Sequence, residues 1–228
     1  GPGASGHFVK MVHNGIEYAI MELIAEVYGV LKNGLGYSND EIYKVFKKWN
    51  EGRLQSFLLE ITTEIFVFKD TETQNDLLDQ IKDEARSKGT GKWTSEVSME
   101  LQLPVPTINE AVSNRDLSKF KALRVSLEQA FGKKDGKIDV TVDELEDAFY
   151  FSMISAYAQG MHLLVQASKE YQYNLQLQEI AKIWRGGCII RAKFLADIYQ
   201  AYDKNNSLEH LFGDSGIQTI LKQVLPGT

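Results

Sequence analysis

The chain has 228 residues, of which 43% are hydrophobic and 25% are charged, so it is long enough to bury a large core. Its formal net charge of −6 argues against a general nucleic-acid-binding role, because such proteins usually carry a basic face. No run approaches the roughly 20 apolar residues of a membrane span, and the N-terminus lacks a signal-peptide layout, so a cytoplasmic location is expected.

Apolar residues recur at helical spacing along nearly the whole chain, and the four prolines lie outside the long periodic segments. The pattern predicts an all-α fold with a single multi-helix domain over residues 1–228. Loops are expected at Lys88–Lys92 and Gly132–Lys137, and neither is long enough to link two domains. The predicted helices are Gly6–Lys32, Asn39–Asn50, Leu54–Phe68, Asn75–Lys82, Thr94–Leu103, Thr107–Val112, Asp116–Phe131, Val142–Glu170, Asn174–Ile183, Gly187–Tyr202 and Ile217–Leu225.

Two parts of the chain resemble each other. Glu41–Phe46 can be laid on Glu179–Trp184, and Phe57–Ile61 on Phe194–Ile198, and each part follows a long apolar helix. The repetition indicates a duplicated helical unit. The alternative is chance similarity between amphipathic helices. Because both ends of the chain adjoin very apolar helices, further polypeptide is expected on either side.

One face of the first predicted helix is polar at its start and apolar further along. The polar residues follow the i, i+3, i+4, i+7 spacing of one helix face, and they are Lys10, His13, Asn14 and Glu17. The same face continues with Met21, Ile24 and Tyr28, which are predicted to enter the core. A stripe that only faces water would stay polar, so the polar residues are interpreted as the wall of a pocket. A salt-bridged surface patch is the alternative.

These residue types suit acid–base chemistry. A lysine removed from bulk water releases its proton more easily, whereas a carboxyl in the same setting holds its proton more tightly. Lys10 and Glu17 could therefore act as opposed base and acid on a small substrate. His13 and Asn14 could hydrogen-bond its hydroxyls or carboxylate.

The run Lys88–Thr94 puts two glycines, two lysines and two hydroxyls ahead of a predicted helix. Free backbone N–H groups and lysines at a helix N-terminus favour an anion such as phosphate. The run is not a nucleotide P-loop, because Arg86 and Trp93 stand where that loop needs a glycine and a hydroxyl residue. A plain solvated loop is the alternative. Arg115 could grip an anion with its forked side chain, or serve only a helix dipole.

The cysteine and the histidines elsewhere in the chain give little evidence for a functional site. The single cysteine, Cys188, cannot form an internal disulfide. No cluster of cysteines and histidines has the spacing of a metal site, so no metal is expected.

The run His7–Tyr18 closely resembles the start of the C-terminal domain of decarboxylating 6-phosphogluconate dehydrogenases. Three further runs occur in the order and approximate spacing of that family, and they are Lys88–Thr94, Ser155–Gly160 and Trp184–Arg191. The resemblance covers nearly the whole chain. It implies a helical, substrate-binding part of an oxidoreductase that converts 6-phosphogluconate to ribulose 5-phosphate in the pentose phosphate pathway.

The resemblance also implies roles for individual residues. Lys10 would match the base that removes the C3 hydroxyl proton, and Glu17 would match the acid that protonates C1 of the enediol. His13 and Asn14 would hold substrate hydroxyls and the carboxylate, with Asn14 also near the nicotinamide. The substrate phosphate would be bound by Tyr18, Lys88, Thr90 and Arg115.

The family resemblance implies NADP or NAD as the cofactor, held mainly by an N-terminal Rossmann domain that this chain lacks. It also implies a homodimer, in which a C-terminal segment absent from this chain reaches into the partner's site. This polypeptide alone is therefore expected to be inactive, with no nucleic-acid or membrane partner. Two alternatives are another β-hydroxyacid dehydrogenase, and a non-catalytic helical oligomerisation module. A β-hydroxyacid dehydrogenase acting on an unphosphorylated acid would not need the phosphate contacts, so a substrate screen with and without the phosphate separates it from the leading interpretation. The flanking gene sequence separates the oligomerisation module, because a Rossmann fingerprint upstream would support the enzyme.

Overall fold

The structure, a computed structural model, describes residues 1–132 and 138–227, and these residues form eleven α-helices without a sheet. The prediction of an all-α fold is confirmed. None of the helices within these ranges is both long enough and apolar enough to cross a membrane. In chain order the helices are α1 Ser5–Gly29, α2 Asn39–Asn50, α3 Phe57–Val67, α4 Leu77–Gln80, α5 Thr90–Glu100, α6 Pro106–Ser118, α7 Lys121–Phe131, α8 Val142–Glu170, α9 Leu177–Arg185, α10 Leu195–Lys204 and α11 Ser215–Val224.

The two longest helices, α1 and α8, pack against each other in the centre of the fold. Val12 and Ile16 of α1 are fully buried, as is Tyr157 of α8. Gly160 lets the helices approach closely, because a Cβ atom there would lie 2.4 Å from Cδ1 of Ile16. A glycine inside a helix costs about 1 kcal/mol relative to alanine. The close contact explains why glycine stands at this position.

Replacing Gly160 by alanine is expected to destabilise the fold by about 1–3 kcal/mol, because overpacking in a filled core outweighs the gain in helix propensity. Gly29→Ala is the matched control, since a Cβ atom at Gly29 meets nothing within 4 Å. The control should be neutral or slightly stabilising. Urea denaturation of both variants measures the difference, and equal stabilities would contradict the close contact between α1 and α8.

Two helices begin and end where the sequence predicts, at Asn39–Asn50 and Val142–Glu170. Both begin with a capping box, in which the N-cap hydroxyl and the glutamate at the third helical position satisfy each other's backbone N–H groups. The pairs are Ser38 with Glu41, and Thr141 with Glu144. These strong local signals explain the accuracy of both boundaries.

The two predicted repeat units have the same order of elements, with a long helix followed after an interval by two shorter ones: α1, α2 and α3, then α8, α9 and α10. Their connecting segments meet in an antiparallel bridge between Ser56 and Ala192, and Lys193 donates its backbone N–H to Gln55 at 2.9 Å. The alignment of the two Phe–Leu runs makes Gln55 equivalent to Ala192 and Ser56 to Lys193. The Ser56–Ala192 pair in one half is therefore equivalent to the Lys193–Gln55 pair in the other. This equivalence is expected for halves related by an approximate two-fold axis.

The helix predicted at Gly187–Tyr202 is wrong in its first half, since α10 begins only at Leu195. Gly187 has φ +133°, and the carbonyl of Arg191 accepts a hydrogen bond from the Phe57 N–H across the bridge. The backbone of this segment is therefore used for pairing with the other half of the chain, which local periodicity does not reveal.

Smaller errors lie elsewhere. Residues 107–118 belong to one helix, α6, where two were predicted, and α5 begins four residues before the predicted Thr94. α3 begins at Phe57, because the hydroxyl of Ser56 caps it. Most of the loop predicted at Gly132–Lys137 lies outside the described residues.

Candidate active site

The start of α5 is held against α1 by a close helix contact. The Thr94 hydroxyl donates to the Met11 carbonyl at 2.9 Å, and Gly15 is buried beside it, where a Cβ atom would lie 2.7 Å from Cγ2 of Thr94. Gly89 has φ +99°, a left-handed conformation that favours glycine, and α5 begins at the next residue. The predicted glycine turn therefore continues directly into the first turn of α5, with Thr90 facing α1.

The four polar residues predicted on α1 form one connected row. Lys10 Nζ lies 3.2 Å from His13 Nδ1, and His13 Nδ1 lies 3.0 Å from Asn14 Oδ1. Asn14 Nδ2 donates to Thr90 Oγ1 at 3.1 Å, and Glu17 Oε2 lies 3.9 Å from His13 Nδ1. The row thus reaches from Lys10, near the start of α1, to Thr90 in the glycine turn, which lies 76 residues after Asn14.

Burial along this row is uneven. His13 is only 2% exposed, and Asn14 and Glu17 are half-buried. Lys10 is exposed, so the expectation that it is removed from bulk water is wrong for this chain. An exposed salt-bridged patch, the alternative drawn from periodicity, does not fit a row with a buried imidazole at its centre. The apolar continuation of the face is partly wrong, since Met21 is 36% exposed and does not enter the core.

Burial sets the protonation of two groups in the row. It raises the pKa of the Glu17 carboxyl above its ordinary value, and the charges of Lys10 and Arg115 oppose this effect. Burial, aided by the Lys10 charge, lowers the pKa of His13 to about 4. His13 is therefore neutral at physiological pH, and Glu17 is biased towards holding a proton, as a general acid requires.

The buried His13 should make the stability of this chain depend on pH. Between pH 6.5 and about 4 the unfolded chain binds a proton at His13 and the folded chain does not. Stability should therefore fall as the pH falls through this window, by up to about 3 kcal/mol, and be unaffected by His13 above it. Urea denaturation of wild type and His13→Asn measures this. The variant should lose less stability on acidification than wild type or the control His7→Asn, because His7 is exposed; parallel losses would refute the prediction.

The far end of the row is suited to an anion. The Arg115 guanidinium lies over the Tyr18 ring at 4.1 Å, and its Nη1 donates to the Arg86 carbonyl at 3.1 Å. The Tyr18 hydroxyl donates to Ser87 Oγ at 3.4 Å. Lys88 is exposed and makes no hydrogen bond or ion pair within the part of the chain that the structure describes. These groups surround the N-terminus of α5, whose first backbone N–H groups have no helical partners.

The two lysines of the glycine turn differ in their surroundings. Lys92 forms an ion pair with Glu96 one turn further along α5, at 3.2 Å, whereas Lys88 precedes the helix. Gly91 packs directly on Tyr18, and a Cβ atom there would lie 2.5 Å from the ring. Glycine at this position therefore allows Tyr18 and the start of α5 to approach each other.

Two residues that support this site, Ser87 and Trp184, were not predicted from the sequence. Ser87 contacts both the Tyr18 hydroxyl and the Gly89 N–H. Trp184 is buried, and its ring lies edge-on to the ring of His13, with centroids 5.8 Å apart and an interplanar angle of 73°. Cys188 follows it, with Sγ donating to the Trp184 carbonyl at 3.1 Å. The only sequence signals for these contacts are that Ser87 directly precedes one family-like run and that Trp184 begins another.

Comparison with known proteins gives a consistent result. Residues 6–228 match the family model described as 6-phosphogluconate dehydrogenase, C-terminal domain. A decarboxylating 6-phosphogluconate dehydrogenase of Synechocystis is 50% identical over 216 residues, covering 92% of this chain and 45% of that protein. The NADP(+)-dependent decarboxylating enzyme of Bacillus subtilis is 45% identical over 227 residues, covering 97% of this chain and 48% of that protein.

A solved structure is similar over the whole chain. It is the 6-phosphogluconate dehydrogenase of Plasmodium falciparum, described in its apo form and in complexes with its cofactor NADP+ and its substrate 6-phosphogluconate. This chain matches it with a TM-score of 0.95 and 48% identity, over 100% of this chain and 50% of that one. The chain thus spans about half the length of the relatives it matches. With the family model matched over residues 6–228, the chain belongs to the 6-phosphogluconate dehydrogenase family, as its C-terminal helical domain.

Proposed function

We propose that this chain is the substrate-binding helical part of a decarboxylating 6-phosphogluconate dehydrogenase. The observation that carries the proposal is the single polar row from Lys10 to Thr90, with an acid at Glu17 and a cationic, helix-terminal site beside it. A sugar acid phosphate presents a carboxylate, hydroxyls and a phosphate along one chain of carbon atoms. The row offers groups that can bind each of these substrate groups, and they follow one another along α1 and the start of α5.

Lys10 is proposed as the base that takes the proton of the C3 hydroxyl. A nicotinamide cofactor, when bound, would accept the hydride that leaves C3. Lys10 then returns its proton to the C3 oxygen as the C1 carboxylate leaves as carbon dioxide and its bonding electrons form the enediol. Glu17, which burial biases towards the protonated form, then donates a proton to the former C2 of the substrate, which is C1 of the product. Lys10 takes up the O–H proton that the former C3 hydroxyl loses as the ketone forms. His13 and Asn14 line the same wall, where the family resemblance puts the substrate hydroxyls and carboxylate.

The phosphate is proposed to bind at the N-terminus of α5. Lys88 and Arg115 supply positive charge, and the backbone N–H groups that follow Gly89 supply hydrogen bonds. The Thr90 and Tyr18 hydroxyls complete the set, although in this structure they bond to Asn14 and Ser87 respectively. Both bonds join side chains that can turn towards a ligand.

The cofactor is proposed to touch this chain mainly through Asn14. Its amide is half-buried and held between His13 and Thr90, which suits contact with one edge of a nicotinamide. A separate Rossmann domain, which the family resemblance implies, is proposed to hold most of the dinucleotide. NADP is the cofactor named for the Bacillus subtilis and Plasmodium falciparum relatives. A homodimer and a cytoplasmic location stay predictions.

Calorimetric titration of this chain with 6-phosphogluconate and with gluconate tests the proposal. Weak binding of the phosphorylated compound is expected, with no measurable binding of gluconate. Lys88→Ala should weaken binding roughly 10- to 100-fold, because a charged hydrogen-bond donor is lost. Lys92→Ala is the matched control from the same turn, since Lys92 pairs with Glu96. Equal affinity for both compounds would favour a β-hydroxyacid dehydrogenase that acts on an unphosphorylated acid.

A further inference from the structure

A cavity of about 590 Å³ lies where the two repeat units meet, on the segments joined by the bridge between Ser56 and Ala192. Its volume falls within the range of about 300–1,000 Å³ that is typical of small-molecule sites. None of the described residues that line it belongs to the row on α1 or to the glycine turn. The cavity is therefore a feature of the fold that the proposed function does not use.

The charged side chains around this cavity are mainly positive. Of the described residues that line it, three are cationic, Arg185, Arg191 and Lys193, and one is acidic, Glu60. The whole chain has a formal net charge of −6, so the excess of positive charge here is opposite to the overall balance. A concave surface of one charge sign focuses the electric field and concentrates ions of the other sign. The cavity is therefore suited to an anion.

The cations have donors that are free to bind a ligand. The side chains of Arg185 and Lys193 form no hydrogen bond or ion pair with any residue that the structure describes, and Lys193 acts on the Asp197 carboxyl by charge alone. Arg191 donates from Nη2 to Glu60 Oε2 at 3.2 Å. A guanidinium group has five N–H donors, so most of those of Arg191 remain available.

Arg191 is held in one orientation. Its guanidinium lies over the Phe57 ring at 3.9 Å from the centroid, while the ion pair with Glu60 fixes one edge. Because stacking and pairing already restrict the side chain, little further conformational freedom is lost when its other donors meet an anion. Glu60 itself competes with such an anion for Arg191.

The first turns of two helices also line the cavity. Ser56 and Phe57 belong to the start of α3, and Ala196 belongs to the start of α10. The bridge between Ser56 and Ala192 brings these two helix starts together. Since the N-terminus of a helix carries partial positive charge, both helices add to the field of the cationic side chains.

We propose that this cavity is a second anion-binding site, which takes a small metabolite bearing a phosphate group. Arg185 and Arg191 bind the phosphate oxygens through their N–H groups, and Lys193 adds positive charge. The inference is independent of the proposed function, because the cavity shares no residue with the proposed substrate site.

Calorimetric titration of this chain with pyrophosphate, at an ionic strength kept constant with sodium chloride, tests the inference. Binding is expected with a Kd below about 1 mM. Arg185→Gln should weaken it about tenfold or more, because a charged hydrogen-bond donor is lost. Arg185 is exposed, so the fold should tolerate the change. Lys182→Gln is the matched control and should bind as wild type does, since Lys182 lies one turn earlier on α9 and pairs with Glu179 at 3.7 Å.

Two further variants distinguish this cavity from the glycine turn. Glu60→Gln should tighten binding about two- to fivefold, because the acid that competes for Arg191 is removed. Lys88→Ala should leave the binding that depends on Arg185 unchanged. Binding that is lost in Lys88→Ala but unaffected by Arg185→Gln would place pyrophosphate at the glycine turn and overturn the inference, as would the absence of binding.

The same titration of the full-length protein tests whether the cavity stays accessible. Binding that Arg185→Gln weakens is expected there too. If the full-length protein showed no such binding, another part of the protein would cover the cavity, and a site for a free metabolite would be overturned.

Discussion

Replacing Lys10 by methionine in the full-length protein is expected to lower kcat by roughly 10²- to 10⁴-fold, the usual contribution of a general base. Methionine has a similar length but cannot accept a proton, so oxidation at C3 would lose the group that removes the hydroxyl proton. Lys10 is exposed, so the fold should tolerate the change. The dissociation constant of 6-phosphogluconate should change much less than kcat.

Single-turnover measurement of reduced cofactor checks this expectation. Lys10→Met should give no rapid burst, because the oxidative step itself is blocked. Lys169→Met is the control, since Lys169 is exposed on α8 and pairs with Glu209, away from the row. A Lys10→Met variant with near wild-type turnover would remove Lys10 from the proposed mechanism.

Replacing Glu17 by glutamine is expected to lower the steady-state rate by a similar factor, through a different step. Glutamine keeps the shape of the side chain but has no acidic proton to give to C1 of the enediol. Oxidation and decarboxylation precede that step, so the first turnover should still produce a burst of reduced cofactor. The contrast with Lys10→Met, in which the burst is absent, assigns base and acid separately.

Glu22→Gln is the matched control for Glu17→Gln. Glu22 lies on the same helix, and burial raises its pKa too, but its carboxylate accepts from Asn114 and lies outside the row. The control should retain activity close to wild type. If both variants lost the same fraction of activity, a general effect on α1 would replace the specific assignment of Glu17.

Much of this fold could be predicted from the sequence, because its strongest signals are local. Capping boxes at Ser38 and Thr141 set the starts of α2 and α8, and helical periodicity runs through both. The main error, over residues 187–194, has a non-local cause. There the backbone bonds to residues 55–57, and no local pattern distinguishes that segment from a helix start.

The candidate site also has parts that depend on local sequence signals and parts that depend on tertiary packing. The row on α1 was predictable because its four residues share one helix face, whatever the rest of the fold. The contact of that row with Thr90, and of Tyr18 with Arg115, depends on how α5 and α6 pack on α1. Only the family resemblance predicted that these residues belong to one site. The supporting positions of Ser87 and Trp184 arise only from tertiary packing and were not predicted.

The contact between α1 and α8 has a consequence for the smallest chain that could work. Every residue assigned a role in the proposed reaction lies between Lys10 and Arg115, so a truncated chain ending after α6 would contain all of the side chains proposed to act on the substrate. Yet the apolar side of α1 rests on α8, which begins only at Val142. During synthesis, the helix bearing the reactive groups therefore lacks this support until the later half has emerged, and we expect the earlier half to fold poorly on its own.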